Sequence, residues 1–188
     1  LIKDITLGND GDFQDRRFVD IINNDLANTI GNLLNRTSSM SRKWFDDKVP
    51  NNDKITSENK LKFLAKTTVE KYIKKFNTYK LDQAANEVLN LAINTNLYLN
   101  ENQPWLLIKE NDNLPFVKEI IYNVLESTRI IGLLLLPLLP ELSSKINLQL
   151  GSIYQEDISW EQQLKWGLLI SNTNLPKPSP IINKLEYE

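Results

Sequence analysis

The sequence contains no cysteine and no histidine. The first absence excludes a disulfide framework and any thiolate metal site. The second removes the commonest general base, the usual activator of a nucleophile and the usual zinc ligand. Positive charge is not in excess either: 22 Lys and Arg stand against 24 Asp and Glu, a net charge of −2. That balance argues against gripping nucleic acid by bulk electrostatics, while leaving room for a small local site. The longest apolar run, "IIGLLLLPLLP" from Ile130 to Pro140, is interrupted by Pro137. It falls far short of the roughly 20 residues a membrane span needs, and it reads as a buried helix ending at the proline. The opening "LIKDITLGNDGDF" lacks a signal peptide's basic and apolar regions and has no initiating methionine. It reads as the start of a piece cut from something longer.

What is present is leucine and isoleucine in quantity, with 41% hydrophobic and 24% charged residues in 188. This is enough apolar material for one cored domain and excludes a wholly disordered chain. Six glycines and eight prolines are few, and the composition leans helical. After a turn at "GNDGD", Asp12 is a candidate N-cap. From Phe18 the apolar positions recur at Ile22, Leu26, Ile30, Leu33, Thr37, Met40 and Trp44, which predicts a first helix of about 30 residues. A second is predicted to open at Ser57, and a third after Tyr79 that must stop or kink at Pro104. Pro115 suits the first turn of a fourth helix running into the leucine stretch. A fifth is predicted from Pro140 to Leu150, stopped by Gly151. The remainder, with "LPKPSP", is predicted to be extended, and no strand pairing or repeat is visible. The expected fold is all-α: an antiparallel bundle of about five helices with an extended C-terminal tail.

Catalytic options are thin. No glycine-rich phosphate loop precedes a helix. Asp10, Asp12 and Asp15 lack the pattern of a calcium loop and read as first-turn acids favoured by the helix dipole. Ser38 and Ser39 have no base nearby.

Binding chemistry is better represented. On a wheel of about 100° per residue, Ile30, Leu33 and Thr37 cluster with Leu26, while Asn28, Asn32 and Arg36 form a polar row on another face. Carboxamides beside a guanidinium can read the hydrogen-bonding edge of an unpaired base. The plain alternative is an asparagine-rich composition filling surface positions. Gly31 weakens the helix by about 1 kcal/mol relative to alanine, which points to close approach of another backbone. In "NENQPWLLIKE", Trp105 follows Pro104 at the helix break, where a ring can be offered for stacking on single-stranded RNA. The alternative there is a core plug at a corner. Trp44, Trp160 and Trp166 read as packing residues.

Taken in order, "DGDF", "DLANTIGNLLNR", "ENQPW", "LLPLLPELSSKINLQLG", "LKWG" and "LPKPSPIINKLE" resemble the C-terminal half of bacterial methionyl-tRNA synthetases, over nearly the whole chain. The flavour of "NLLNRTSSMSRKWFDDKVP" is similar to cyanobacterial or plastid versions. The resemblance implies an anticodon-binding module in which Asn32 and Arg36 read the CAU anticodon of tRNA(Met). It further implies that Trp105 stacks on an anticodon base, Pro104 shapes the corner, and Asn28 adds a polar contact one turn earlier. It implies residues 1–12 as a linker from a catalytic domain, a helical domain over 13–170, and a tail over 171–188 held loosely without that domain. The family's two ATP-binding signatures are absent. The chain is therefore expected to carry no cofactor or metal and to be inactive alone, with ATP handled by the catalytic domain. The expected partners are the tRNA(Met) anticodon loop and that domain, with no membrane, in the cytoplasm or a plastid. Two other readings stay open: the equivalent bundle of another class I synthetase, and a helical protein-interaction adaptor without RNA.

Overall fold

The computed structural model describes residues 2, 3, 5, 10–51, 58–152 and 154–186. The first helix, α1, covers residues 15–44 without a break but is not uniform. Its first part, Asp15–Asp20, and its last, Asn32–Trp44, are α-helical, and the middle, Ile21–Gly31, is a π-helix. The backbone N–H of Asn32 reaches back five residues to Ala27, and the Thr29 hydroxyl donates to the carbonyl of Asn24 at 2.8 Å. The helix starts later than the sequence predicts. Gln14, not Asp12, occupies the N-cap position, and its side chain makes no capping bond. Asp12 instead accepts a hydrogen bond from the Gln14 carboxamide at 3.2 Å.

Helix α2 is Lys60–Phe76, α3 is Leu81–Asn102, α5 is Leu114–Leu135 and α6 is Pro140–Gln149. Two single α-helical turns, α4 (Pro104–Leu107) and α7 (Trp160–Gln163), and a 3-10 turn over Asn111–Asn113 lie between or after them. The predicted start of α2 at Ser57 lies outside the described residues; within them, the Asn59 side chain caps the helix by accepting from the Lys62 N–H at 2.9 Å. Short connections make successive helices antiparallel neighbours. α2 packs along α3, and α3 and α1 pack on α5, with α6 folded back over the far side of α5.

α5 is the axis of the bundle. Residues 120–135 are buried on every face, so this stretch presents no polar stripe to solvent and even Glu126 and Arg129 lie inside. It ends at Leu135, two residues before Pro137, as the proline requires. Gly132 allows α6 to approach, since a Cβ there would lie 2.9 Å from Ile146 Cγ2. Most polar groups buried on α5 find partners among the described residues, Asn123 Oδ1 being an exception. Glu126, fully buried, binds Arg129 through two contacts of 2.8 and 2.7 Å. The same carboxylate accepts the backbone N–H groups of Gly167, Leu168 and Leu169, while Arg129 donates to the carbonyls of Gln163 and Lys165. This buried cluster fixes the turn after α7, which carries "LKWG".

The C-terminal segment is not loosely held. Leu175 and Ile181 are each only 3% exposed. Val49 exchanges backbone bonds with Thr173 and Asn172 at 2.9 and 2.8 Å, and Leu175 donates to the Asp47 carbonyl at 2.6 Å. Lys48 and Asn174 form an isolated antiparallel bridge, a pairing invisible in the sequence pattern. Trp44, Trp160 and Trp166 pack against the core as expected, Trp160 donating to the Leu133 carbonyl at 2.9 Å. No described helix is long and apolar enough to cross a membrane.

Candidate nucleic-acid interface

The site forms where the end of α3 meets the α-helical half of α1. α3 stops at Asn102 because the residue before a proline is disfavoured in the α region. Gln103 takes up a left-handed conformation instead, with φ 44° and ψ 56°. Pro104 then starts α4 at the position where its missing N–H costs nothing, and its ring is buried. This corner turns Trp105 out of the α3 axis. Its ring is half-buried, packed against the core on one side.

Arg36 covers the ring. Its guanidinium carbon lies 5.7 Å from the Trp105 centroid, within cation–π range. One of its terminal nitrogens donates to the Asn100 side chain at 3.2 Å. Among the described residues no carboxylate pairs with Arg36, so most of its five donors remain unspent. Asn32 sits one turn earlier on α1, exposed and with no side-chain partner among the described residues. Asn28 is also exposed, but it lies in the π-helical segment, where a residue advances by less than the 100° the wheel assumes. Its amide donates to Asn24 at 3.3 Å. The structure therefore brings together Arg36, Trp105 and Pro104, places Asn32 beside them, and sets Asn28 farther along.

Two asparagines of α3 were not singled out by sequence reasoning. Asn100 accepts from Arg36, and Asn96 donates to the Thr29 carbonyl at 3.1 Å, tying α3 to the π-helical segment. Their four-residue spacing, ending one turn before the proline corner, is the signal that could have found them. Behind the corner, burial pushes the Tyr98 phenol up, against the lowering effect of its hydrogen bond from Asn123. The Asn102 amide ties back to the Tyr98 carbonyl at 2.7 Å, bracing the last turn of α3. Gly31 has no close backbone neighbour of the kind expected. A Cβ there would meet Leu26 O at 3.4 Å and Ile181 Cγ1 at 3.5 Å, which is ordinary contact.

An aromatic ring, a guanidinium with free donors and an exposed carboxamide form a surface suited to a flat, polar-edged group. Residues 49–186 match the family model described as the anticodon binding domain of methionyl tRNA ligase. The chain belongs to this family. The methionine–tRNA ligase of Thermosynechococcus vestitus is 38% identical over 98% of the chain, and that of Synechocystis 36% identical over the same share. Similarity to these methionine–tRNA ligases thus includes α1, which the family model leaves out. The chain spans 36% and 37% of the length of these two relatives. Among solved structures, the apo form of Mycobacterium tuberculosis methionyl-tRNA synthetase superimposes with a TM-score of 0.86 at 27% identity, over all of this chain and 38% of that one. The bundle is thus the methionyl-tRNA ligase anticodon-binding fold.

Proposed function

We propose that this chain reads the CAU anticodon of tRNA(Met) on behalf of a methionine–tRNA ligase. The observation that carries the reading is the Arg36 guanidinium standing over the half-exposed Trp105 ring, one turn from exposed Asn32. An unpaired cytosine offers two adjacent acceptors and one amino donor on its pairing edge. Arg36 supplies donors to the acceptors, the Asn32 carbonyl accepts from the amino group, and Trp105 gives its ring to a neighbouring base. Pro104 holds the corner, and Asn28 extends the polar surface toward the start of α1.

In this reading the chain binds no cofactor of its own. ATP-dependent aminoacylation belongs to a catalytic domain working with it, consistent with relatives nearly three times as long. The working location is the cytoplasm, or a plastid. An adaptor without an RNA role predicts a buried Trp105 and an asparagine row facing away from it, and the contact with Arg36 speaks against that arrangement.

The test is titration with 17-nucleotide anticodon stem-loops carrying CAU or GAU. Preferential binding of CAU, lost in Trp105→Ala, is the expected result. Equal affinity for the two loops, or a preference that Trp105→Ala leaves intact, would overturn the reading.

A further inference from the structure

The polar face of α1 does not end at Arg36. Asn32, Arg36, Ser39 and Lys43 follow at i, i+4, i+7 and i+11, entirely within the α-helical part of α1. At about 100° per residue they fall within roughly 60° of one another, so they form one stripe. Lys43 lies about 10 Å along the axis from Arg36. There the stripe enters an open cleft of about 530 Å³, lined by Asn35, Ser39, Arg42, Lys43, Asp47 and Lys177.

The chemistry of the cleft is one-sided. Three cations converge on it against one carboxylate, and that carboxylate is engaged by Arg42 at 3.0 Å. Lys43 and Lys177 are exposed and have no acidic partner among the described residues. This stands out in a chain whose net charge is −2. Ser39 contacts Asn35 Oδ1 at 3.3 Å, which leaves the Asn35 amide as a further outward donor. No aromatic ring lines the cleft, so it cannot stack a base. Its lining suits an anion rich in hydrogen-bond acceptors.

Lys177 is placed there deliberately by the fold. Two residues before it, Leu175 is buried and bonded to the Asp47 carbonyl. Two residues after it, Ser179 is clasped by the Gln149 side chain, which donates to the Ser179 carbonyl at 2.6 Å. The tail thus lays a cation across the end of α1.

We propose that this cleft binds backbone phosphates of the same RNA whose bases meet Arg36 and Trp105, an inference that rests on the anticodon reading above. Lys43 and Lys177 supply the charge, and the Asn35 amide, whose oxygen is already bonded by Ser39, supplies a hydrogen bond. Such contacts fix the position of the strand without reading its sequence.

The experiment titrates CAU and GAU stem-loops over a salt series with the wild type, the double variant Lys43→Ala/Lys177→Ala, and Trp105→Ala. The double variant is expected to bind both loops roughly tenfold more weakly, with the CAU preference unchanged and the salt slope reduced by about 1.4 to 1.8 for two lost phosphate contacts. Wild-type affinity and slope in the double variant would overturn the phosphate cleft, and would leave an acidic protein segment as its occupant. A wild type that binds both loops equally overturns the base reading alone, since a slope lost in the double variant would still support the cleft. Thermal unfolding of the double variant at the wild-type temperature excludes misfolding as the cause of a loss.

Discussion

Arg36 and Trp105 touch across two helices, the guanidinium of one 5.7 Å from the ring centre of the other. Neither is held by the other alone. Asn100 takes a hydrogen bond from Arg36, and the Gln103–Pro104 corner aims Trp105. The pair is a preformed surface, with a planar cation and a ring already in register before any ligand arrives.

Coupling between the two residues follows. Arg36→Ala is expected to lower discrimination between CAU and GAU stem-loops by about 1–3 kcal/mol. Arg36→Lys is expected to recover little of it, since an ammonium lacks the planar fork. In a double-mutant cycle with Trp105→Ala the losses should be non-additive by about 0.5 kcal/mol or more. Strict additivity in the titrations would show that the contact has no part in recognition.

The two glycines at helix packing positions should respond in opposite directions. At Gly31 a methyl group meets only ordinary contacts, and the backbone is helical with φ −64°. Gly31→Ala is therefore expected to stabilise the protein by up to about 1 kcal/mol through helix propensity. At Gly132 a Cβ would crowd Ile146 at 2.9 Å and Asn147 at 3.3 Å. Gly132→Ala is expected to cost about 1–3 kcal/mol as α6 is pushed off α5. Urea denaturation of the two variants checks both signs.

These glycines also mark how far the sequence could be read. Periodicity located α3, α5 and α6 to within about two residues and found the inner face of α2, whose predicted start at Ser57 lies outside the described residues, because their apolar stripes agree with where they pack. It could not see that Ile21–Gly31 is a π-helix, since a wider turn leaves the apolar spacing at Ile22, Leu26 and Ile30 almost unchanged. Gly31 consequently looked like a packing device, which is the role Gly132 fills. In the candidate site, Asn32, Arg36, Pro104 and Trp105 were visible as two separate local patterns. Their meeting is a tertiary fact, and so are the partners of Asn96 and Asn100, whose four-residue spacing marks a shared face but not what it meets; Lys177 has no periodicity to announce it.

The buried pair Glu126 and Arg129 sets the strength of the joint between α5 and the turn after α7. Glu126→Gln would leave Arg129 without its countercharge and weaken three backbone bonds to residues 167–169. Removing one partner of a buried pair costs about 3–5 kcal/mol. The expected result in urea denaturation is a loss of that size. Hydrogen exchange should rise first at the amides of Gly167, Leu168 and Leu169. A loss under about 1 kcal/mol would mean that the pair is dispensable.

Tyr72 gives the fold a pH dependence at the alkaline end. Its ring is fully buried, stacked on Phe76 at 5.6 Å and tilted against Trp160 at 6.0 Å, and its hydroxyl has no partner among the described residues. Burial raises its pKa above the ordinary value of 10.0, and burial raises Tyr98 and Tyr122 in the same direction. In the unfolded chain these phenols lose their protons near pH 10, whereas in the folded protein they keep them to higher pH. The stability linked to them is therefore whole below about pH 10 and declines as pH rises beyond it. Tyr72→Phe removes one of the three titrations and an unsatisfied buried hydroxyl while keeping both ring contacts. The variant should match or exceed the wild-type melting temperature at pH 7, by about 2–4 °C for each kcal/mol gained. Its melting temperature should also fall less steeply between pH 9.5 and pH 11. A variant that melts lower at pH 7 would show that the Tyr72 hydroxyl has a stabilising partner, and an unchanged alkaline slope would remove Tyr72 from the titration.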